Sequence, residues 1–235
     1  MVTFRDFRVP YSALQAWAYD RLIAPAAVEI EAALAAELFA EVTERASLLE
    51  VGCGGGQLGL RLGTRHQELR WTGVDLSPDQ VRRARRRTAP LGERAHVVQA
   101  SALALPFEDA CFDAVLSIAS IKHWPAPERG LGECARVLRP GGVLVVGEAD
   151  RGCSYEDVRR FVSRWGIPGW LQPPAHAFFR TLVAGHSFDL DGARALLASV
   201  PVDGSVERVP DVPAWIIKGR KRAQPAASHD HPATP

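Results

Sequence analysis

Residues 47–76 read SLLEVGCGGGQLGLRLGTRHQELRWTGVDL. The run from Ser47 to Gly52 has the apolar, β-branched character of a buried strand, and a glycine-rich turn follows it at once. A helical pattern runs through Leu62, and a second strand over 69–76 ends in Asp75 and Leu76. Ser77-Pro78-Asp79 then opens another helix, with a hydroxyl at the cap and proline in the first turn. Strand, helix and strand in this order predict parallel pairing through a right-handed crossover.

The same alternation continues outward. HVVQA (96–100), FDAVLSIAS (112–120) and GVLVVGEA (142–149) read as the third, fourth and fifth strands. A helix around Leu131, Ala135 and Leu138 is stopped by Arg139-Pro140-Gly141-Gly142. The pattern predicts a doubly wound α/β sheet whose ligand crevice lies beyond the carboxyl ends of the strands. Upstream, Ile30, Leu34, Leu38 and Val42 share one helical face, so residues 1–46 are expected to form an N-terminal helical cap, with Tyr11 and Tyr19 as candidates to close over the crevice. Beyond residue 150 the rhythm changes. Residues 151–186 hold Trp165, Trp170, His176 and His186 and read as a lid insertion with a helix near 155–164. A helix at 189–199 and strands at 203–209 and 212–219 follow. The connection between these strands is too short for a parallel crossover, so they are expected to be antiparallel. The tail 221–235 lacks periodicity and is expected to be disordered.

Composition narrows the function. The chain has 235 residues, 47% of them hydrophobic, which suffices for one large core. A formal charge of +1, from 28 basic and 27 acidic residues, argues against the broad positive field of a general nucleic-acid binder. Cys53, Cys111, Cys134 and Cys153 form no C-x-x-C pair, so no metal site or disulfide framework is expected. No leader or membrane-spanning segment is apparent. A cytoplasmic protein is expected. Arg82, Arg83, Arg85, Arg86 and Arg87 read as a solvated helix face.

The glycine turn admits two readings. Gly54, Gly56 and Gly59 satisfy the dinucleotide fingerprint G-x-G-x-x-G, and Asp75 follows about 20 residues on. Against that, Glu50 stands two residues before the first glycine, where a carboxylate suits an ammonium and sits poorly beside a pyrophosphate. Leu105-Pro106-Phe107-Glu108-Asp109 before Phe112-Asp113, and Leu138-Arg139-Pro140-Gly141-Gly142 before the fifth strand, complete a second pattern.

With these motifs, residues 47–149 resemble the class I S-adenosylmethionine-dependent methyltransferases, especially the branch containing ubiquinone and menaquinone biosynthesis enzymes and many small-molecule methyltransferases. The resemblance implies a single Rossmann-like domain over 47–220, a seven-stranded sheet with its last strand antiparallel, and S-adenosylmethionine as cofactor with S-adenosylhomocysteine as product. It implies that Glu50, Gly52, Cys53, Gly54 and Gly56 line the methionine moiety, and that Asp75 accepts the ribose hydroxyls. Leu76 would pack on the adenine, Ser101 and Ala102 would stand at its edge, and Ser117 would lie beside the sulfonium. Ser101 departs from the family, which usually has aspartate there. His123 is the candidate catalytic residue, as a proton acceptor or as a loop-ordering side chain. A small-molecule acceptor is expected, since residues 117–124 read SIASIKHW and carry no N-P-P-Y-type motif. A nucleic-acid or protein methyltransferase, or a regulator that only holds the cofactor, is the alternative.

Overall fold

A computed structural model describes Leu38, residues 41–43 and residues 45–223. Tyr11, Tyr19 and most of the expected N-terminal cap lie outside the described residues, as does the tail from residue 224. Five parallel strands come first: β1 (Ser47–Val51), β2 (Arg70–Asp75), β3 (Ala95–Gln99), β4 (Phe112–Ile118) and β5 (Leu138–Ala149). β6 (Val202–Arg208) and β7 (Ala214–Lys221) close the sheet, giving the order β3-β2-β1-β4-β5-β7-β6. β7 runs antiparallel to both β5 and β6, as the short connection requires. It reaches Lys221, whose ammonium donates to the carbonyls of Arg136 and Leu138, so the ordered chain extends past the expected boundary of the tail.

Both sheet faces are buried, which is why β1, β4 and β5 are almost continuously apolar. On one face, α1 (Gln57–Arg65) and α2 (Pro78–Thr88) cover Leu48, Trp71, Leu116 and Val145. On the other, α3 (Pro127–Val137) and α6 (Leu190–Ala198) cover Leu49, Val115, Leu144 and Trp215. Ser77 caps α2, its side chain accepting from the Gln80 N–H, with Pro78 in the first turn. β5 begins earlier than its glycines suggest. Leu138 already pairs with Phe112, and a register shift before Ala114–Val143 absorbs Arg139-Pro140-Gly141-Gly142.

Two of the motif segments serve this frame. Arg136 donates to the carbonyls of Leu105 and Phe107 and to Asp109, pinning the segment before β4 against α3. Asp113 accepts from the Ser47 N–H at 2.8 Å and pairs with Arg139, fastening the starts of β1 and β4. The insertion after β5 is helical. α4 (Tyr155–Ser163) has a reciprocal Ser154–Asp157 capping box, and α5 (Gln172–Phe178) continues as a π-helical turn over Phe179–Ala184. Phe161, Val162 and Phe179 form a small core of their own against Ala149 and Cys153, just past the end of β5.

Candidate functional site

The strand order reverses between β1 and β4, so the crevice of this sheet opens at their carboxyl ends. Gly52, Gly54 and Gly56 all adopt positive φ, the left-handed backbone that side chains disfavour. At Gly52, a Cβ would stand 2.0 Å from the Ser120 hydroxyl. At Gly54 it would meet nothing within 4 Å, so the backbone faces open space there. The N–H groups of Gly52 and Cys53 both donate to the Val74 carbonyl, and that of Gly54 donates to Asp75 at 2.9 Å. The other Asp75 oxygen accepts from the Ser77 N–H at 2.8 Å. Burial pushes the Asp75 carboxyl upward, opposed by its bonds from the Ser77 and Gly54 amides. Leu76, next in sequence, is 51% exposed.

The loop is braced from behind. Arg87 donates to the Gly55 carbonyl and Arg85 to that of Val97, so part of the arginine run holds the glycine turn and the edge strand. Gly59 lies against the Trp71 ring, where a Cβ would come within 2.3 Å, so the third fingerprint glycine serves helix–strand packing. Gly73 also leaves room for that indole, whose N–H donates to Glu50 at 2.8 Å. Glu50 is buried, and burial pushes its carboxyl up to about 8, with the Trp71 bond opposing and the nearby Asp75 charge reinforcing the rise. Its partner was invisible in the sequence, because it depends on the register of Glu50 with Gly73 across β1 and β2.

A pH dependence follows. The folded chain keeps a proton on Glu50 at pH values where the unfolded chain has released it, so stability declines as pH climbs from about 4.5 to about 8. Glu50→Gln, which keeps the shape and an acceptor for Trp71, is expected to flatten this decline. The gain at alkaline pH should be on the order of a few kcal/mol, read from urea unfolding at pH 6 and pH 9. An unchanged pH dependence in the variant would contradict the assignment.

The other candidates divide. Ser101, beyond the end of β3, is half-buried, and its hydroxyl accepts from the Leu103 N–H at 3.2 Å. Ala102 packs on the core beside it. Ser117 is fully buried, and its hydroxyl donates to the Val51 carbonyl at 2.9 Å, fastening β4 to β1 at the crevice. His123 ends a short 3-10 turn, Ile121–His123, and is half-buried. That turn is anchored twice. Trp124 donates to the Ser120 hydroxyl at 3.0 Å, and Lys122 pairs with Glu148 at 2.8 Å, with both side chains nearly inaccessible. A lysine beside His123 and a glutamate closing an apolar strand were the sequence signals for this pair, and neither is a motif.

Residues 49–146 match the family model described as a methyltransferase domain. The 27-O-demethylrifamycin SV methyltransferase of Amycolatopsis mediterranei is 39% identical over 103 residues, 43% of this chain and 38% of that protein. The demethylmenaquinone methyltransferase of Thermus thermophilus is 40% identical over 99 residues, 42% of this chain and 45% of that protein. The chain thus spans less than half the length of these two relatives. The malonyl-acyl-carrier-protein O-methyltransferase of Geobacter sulfurreducens is 34% identical over 192 residues, 76% of this chain and 66% of that protein. A solved S-adenosylmethionine-dependent methyltransferase from Aquifex aeolicus shares the fold, with a TM-score of 0.64 at 16% identity over 87% of this chain and 97% of its own.

Proposed function

Because residues 49–146 make this chain a member of the class I S-adenosylmethionine-dependent methyltransferases, we propose that it transfers a methyl group to a small-molecule acceptor. One observation carries the fit to the cofactor. Gly54 presents open space where a side chain would stand, its N–H is fixed by Asp75, and exposed Leu76 adjoins them. When bound, S-adenosylmethionine supplies a methyl already activated by its sulfonium, so in-line displacement needs no covalent enzyme intermediate.

The work left to the chain is binding, alignment and exclusion of water. The backbone of Gly52, Cys53, Gly54 and Gly56 holds the methionine end. Each Asp75 oxygen has one backbone N–H on it and a further acceptor position for a ribose hydroxyl. Leu76 is the adenine platform, with Ser101 and Ala102 at its edge. Ser117 stands at the crevice floor. Glu50, whose carboxyl burial pushes up to about 8, lies beside the glycine loop and is bonded to Trp71. The lid helices α4 and α5 stand over the β5 side and cover the acceptor. The near-zero net charge and the small-molecule names of two relatives favour a small acceptor over nucleic acid or protein. Four free thiols suit the cytoplasm. Among the described residues, no helix is long and apolar enough to cross a membrane.

Incubation with methyl-labelled S-adenosylmethionine and a size-fractionated cell extract tests the reading. Label is expected in the low-molecular-weight fraction, and label confined to protein or nucleic acid would overturn it. His123 is assigned to ordering the turn. His123→Ala should lower turnover modestly and leave the shape of the pH–rate profile intact, whereas loss of an ionisation near neutrality would make it the proton acceptor.

A further inference from the structure

Glu148 is the last residue but one of β5 and is 1% exposed. One carboxylate oxygen, Oε1, accepts from Lys122 Nζ at 2.8 Å and from the Ala149 N–H at 2.9 Å. The other, Oε2, is buried and has no hydrogen-bond partner. Buried polar atoms in folded proteins nearly always have partners, and an unmet carboxylate oxygen costs more than a neutral one. Its position suggests what the partner is. Ser117 pairs with Val146 across β4 and β5, so Glu148, two residues further, lies on the same face as Ser117. It is displaced roughly 6.6 Å toward the carboxyl edge. The glycine loop follows β1, β4 lies next to β1, and β5 lies beyond β4. Glu148 therefore lies at the carboxyl end of the sheet, two strands from the glycine loop, where the chain enters the lid insertion, and its side chain is sealed from solvent. It also lies just past residues 49–146, the part shared with the family model.

Resting on the methyltransferase reading, we propose that Glu148 is a specificity-determining residue that accepts a hydrogen bond from a hydroxyl or amine of the methyl acceptor. Lys122, bonded to the opposite oxygen, leaves the second oxygen for the acceptor. The acceptor is then a hydroxylated or aminated small molecule. A free carboxylate in its place would set lone pairs against lone pairs and charge against charge.

Glu148→Gln tests this. Lys122 and the Ala149 N–H hold the amide oxygen on their side, so the amide NH2 replaces Oε2 and an acceptor becomes a donor. Transfer from methyl-labelled S-adenosylmethionine is measured with naphthohydroquinone and tyramine, which carry donors, and with octanoate, which at pH 8 carries none. The wild type should methylate at least one donor-bearing probe and leave octanoate untouched. In the variant the KM for that probe should rise about tenfold or more, with kcat less affected and S-adenosylhomocysteine affinity unchanged. Should Glu148→Gln fail to fold, the double variant Lys122→Met with Glu148→Leu replaces the pair by apolar groups of similar volume, a change buried pairs often tolerate. It should lose the same probe. An unchanged KM in either folded variant would overturn the proposal. So would wild-type transfer to octanoate alone, or to neither donor-bearing probe by protein that binds S-adenosylhomocysteine. Failure of the methyltransferase reading would look different: no S-adenosylhomocysteine binding and no label from the extract.

Discussion

Asp75→Ala is expected to weaken S-adenosylhomocysteine binding by about 1.5–3 kcal/mol, roughly ten- to a hundredfold, the usual loss for hydrogen bonds to a charged acceptor. The carboxylate has two tasks, and both fail in the variant. It offers acceptor positions to the ribose hydroxyls, and it holds the N–H groups of Gly54 and Ser77. Asp75→Asn keeps one oxygen for one of these amides and should recover part of the affinity. Because burial holds the Asp75 carboxyl above its ordinary range, binding should also weaken on acidification at a higher pH than an exposed aspartate would show. Calorimetry on folded Asp75→Ala with unchanged affinity would remove Asp75 from the site.

Gly54→Val is expected to abolish cofactor binding in a protein that still folds. Its φ of 52° is one that a β-branched residue adopts only at a cost of about 1–3 kcal/mol. No protein atom lies within 4 Å of the added Cβ, so the side chain would fill the space the ligand needs without striking the fold. Gly52→Val makes the contrast. Its Cβ would meet the Ser120 hydroxyl, which also receives the Trp124 indole N–H, so that change should damage the fold itself. Normal S-adenosylhomocysteine binding by folded Gly54→Val would show that the ligand lies elsewhere.

The strands and their directions were legible because buried parallel strands are apolar runs punctuated by glycine, and because the five residues between β6 and β7, 209–213, are too few for a crossover. What escaped sequence reading depends on contacts across the sheet. Glu50 reads in sequence as an anchor for an ammonium, and only the register shows that Trp71 bonds one of its oxygens. Ser117 carries no sequence sign that its hydroxyl donates to the Val51 carbonyl across the sheet. Arg85 and Arg87 look like solvated charge, but their guanidinium groups reach backbone carbonyls of β3 and the glycine loop. Pro173 and Pro174 stand in the first turn of α5, which needs no N–H from them. The Lys122–Glu148 pair joins residues 26 apart in sequence and belongs to no local pattern.

The glycine turn alone also fits a dinucleotide, so the claim most exposed to test is that this crevice takes S-adenosylmethionine. Titration of the protein with S-adenosylhomocysteine and, separately, with NAD measures it directly. Saturable binding of S-adenosylhomocysteine, lost in Gly54→Val, with no heat from NAD is the expected result. Saturable binding of NAD with none of S-adenosylhomocysteine would contradict it.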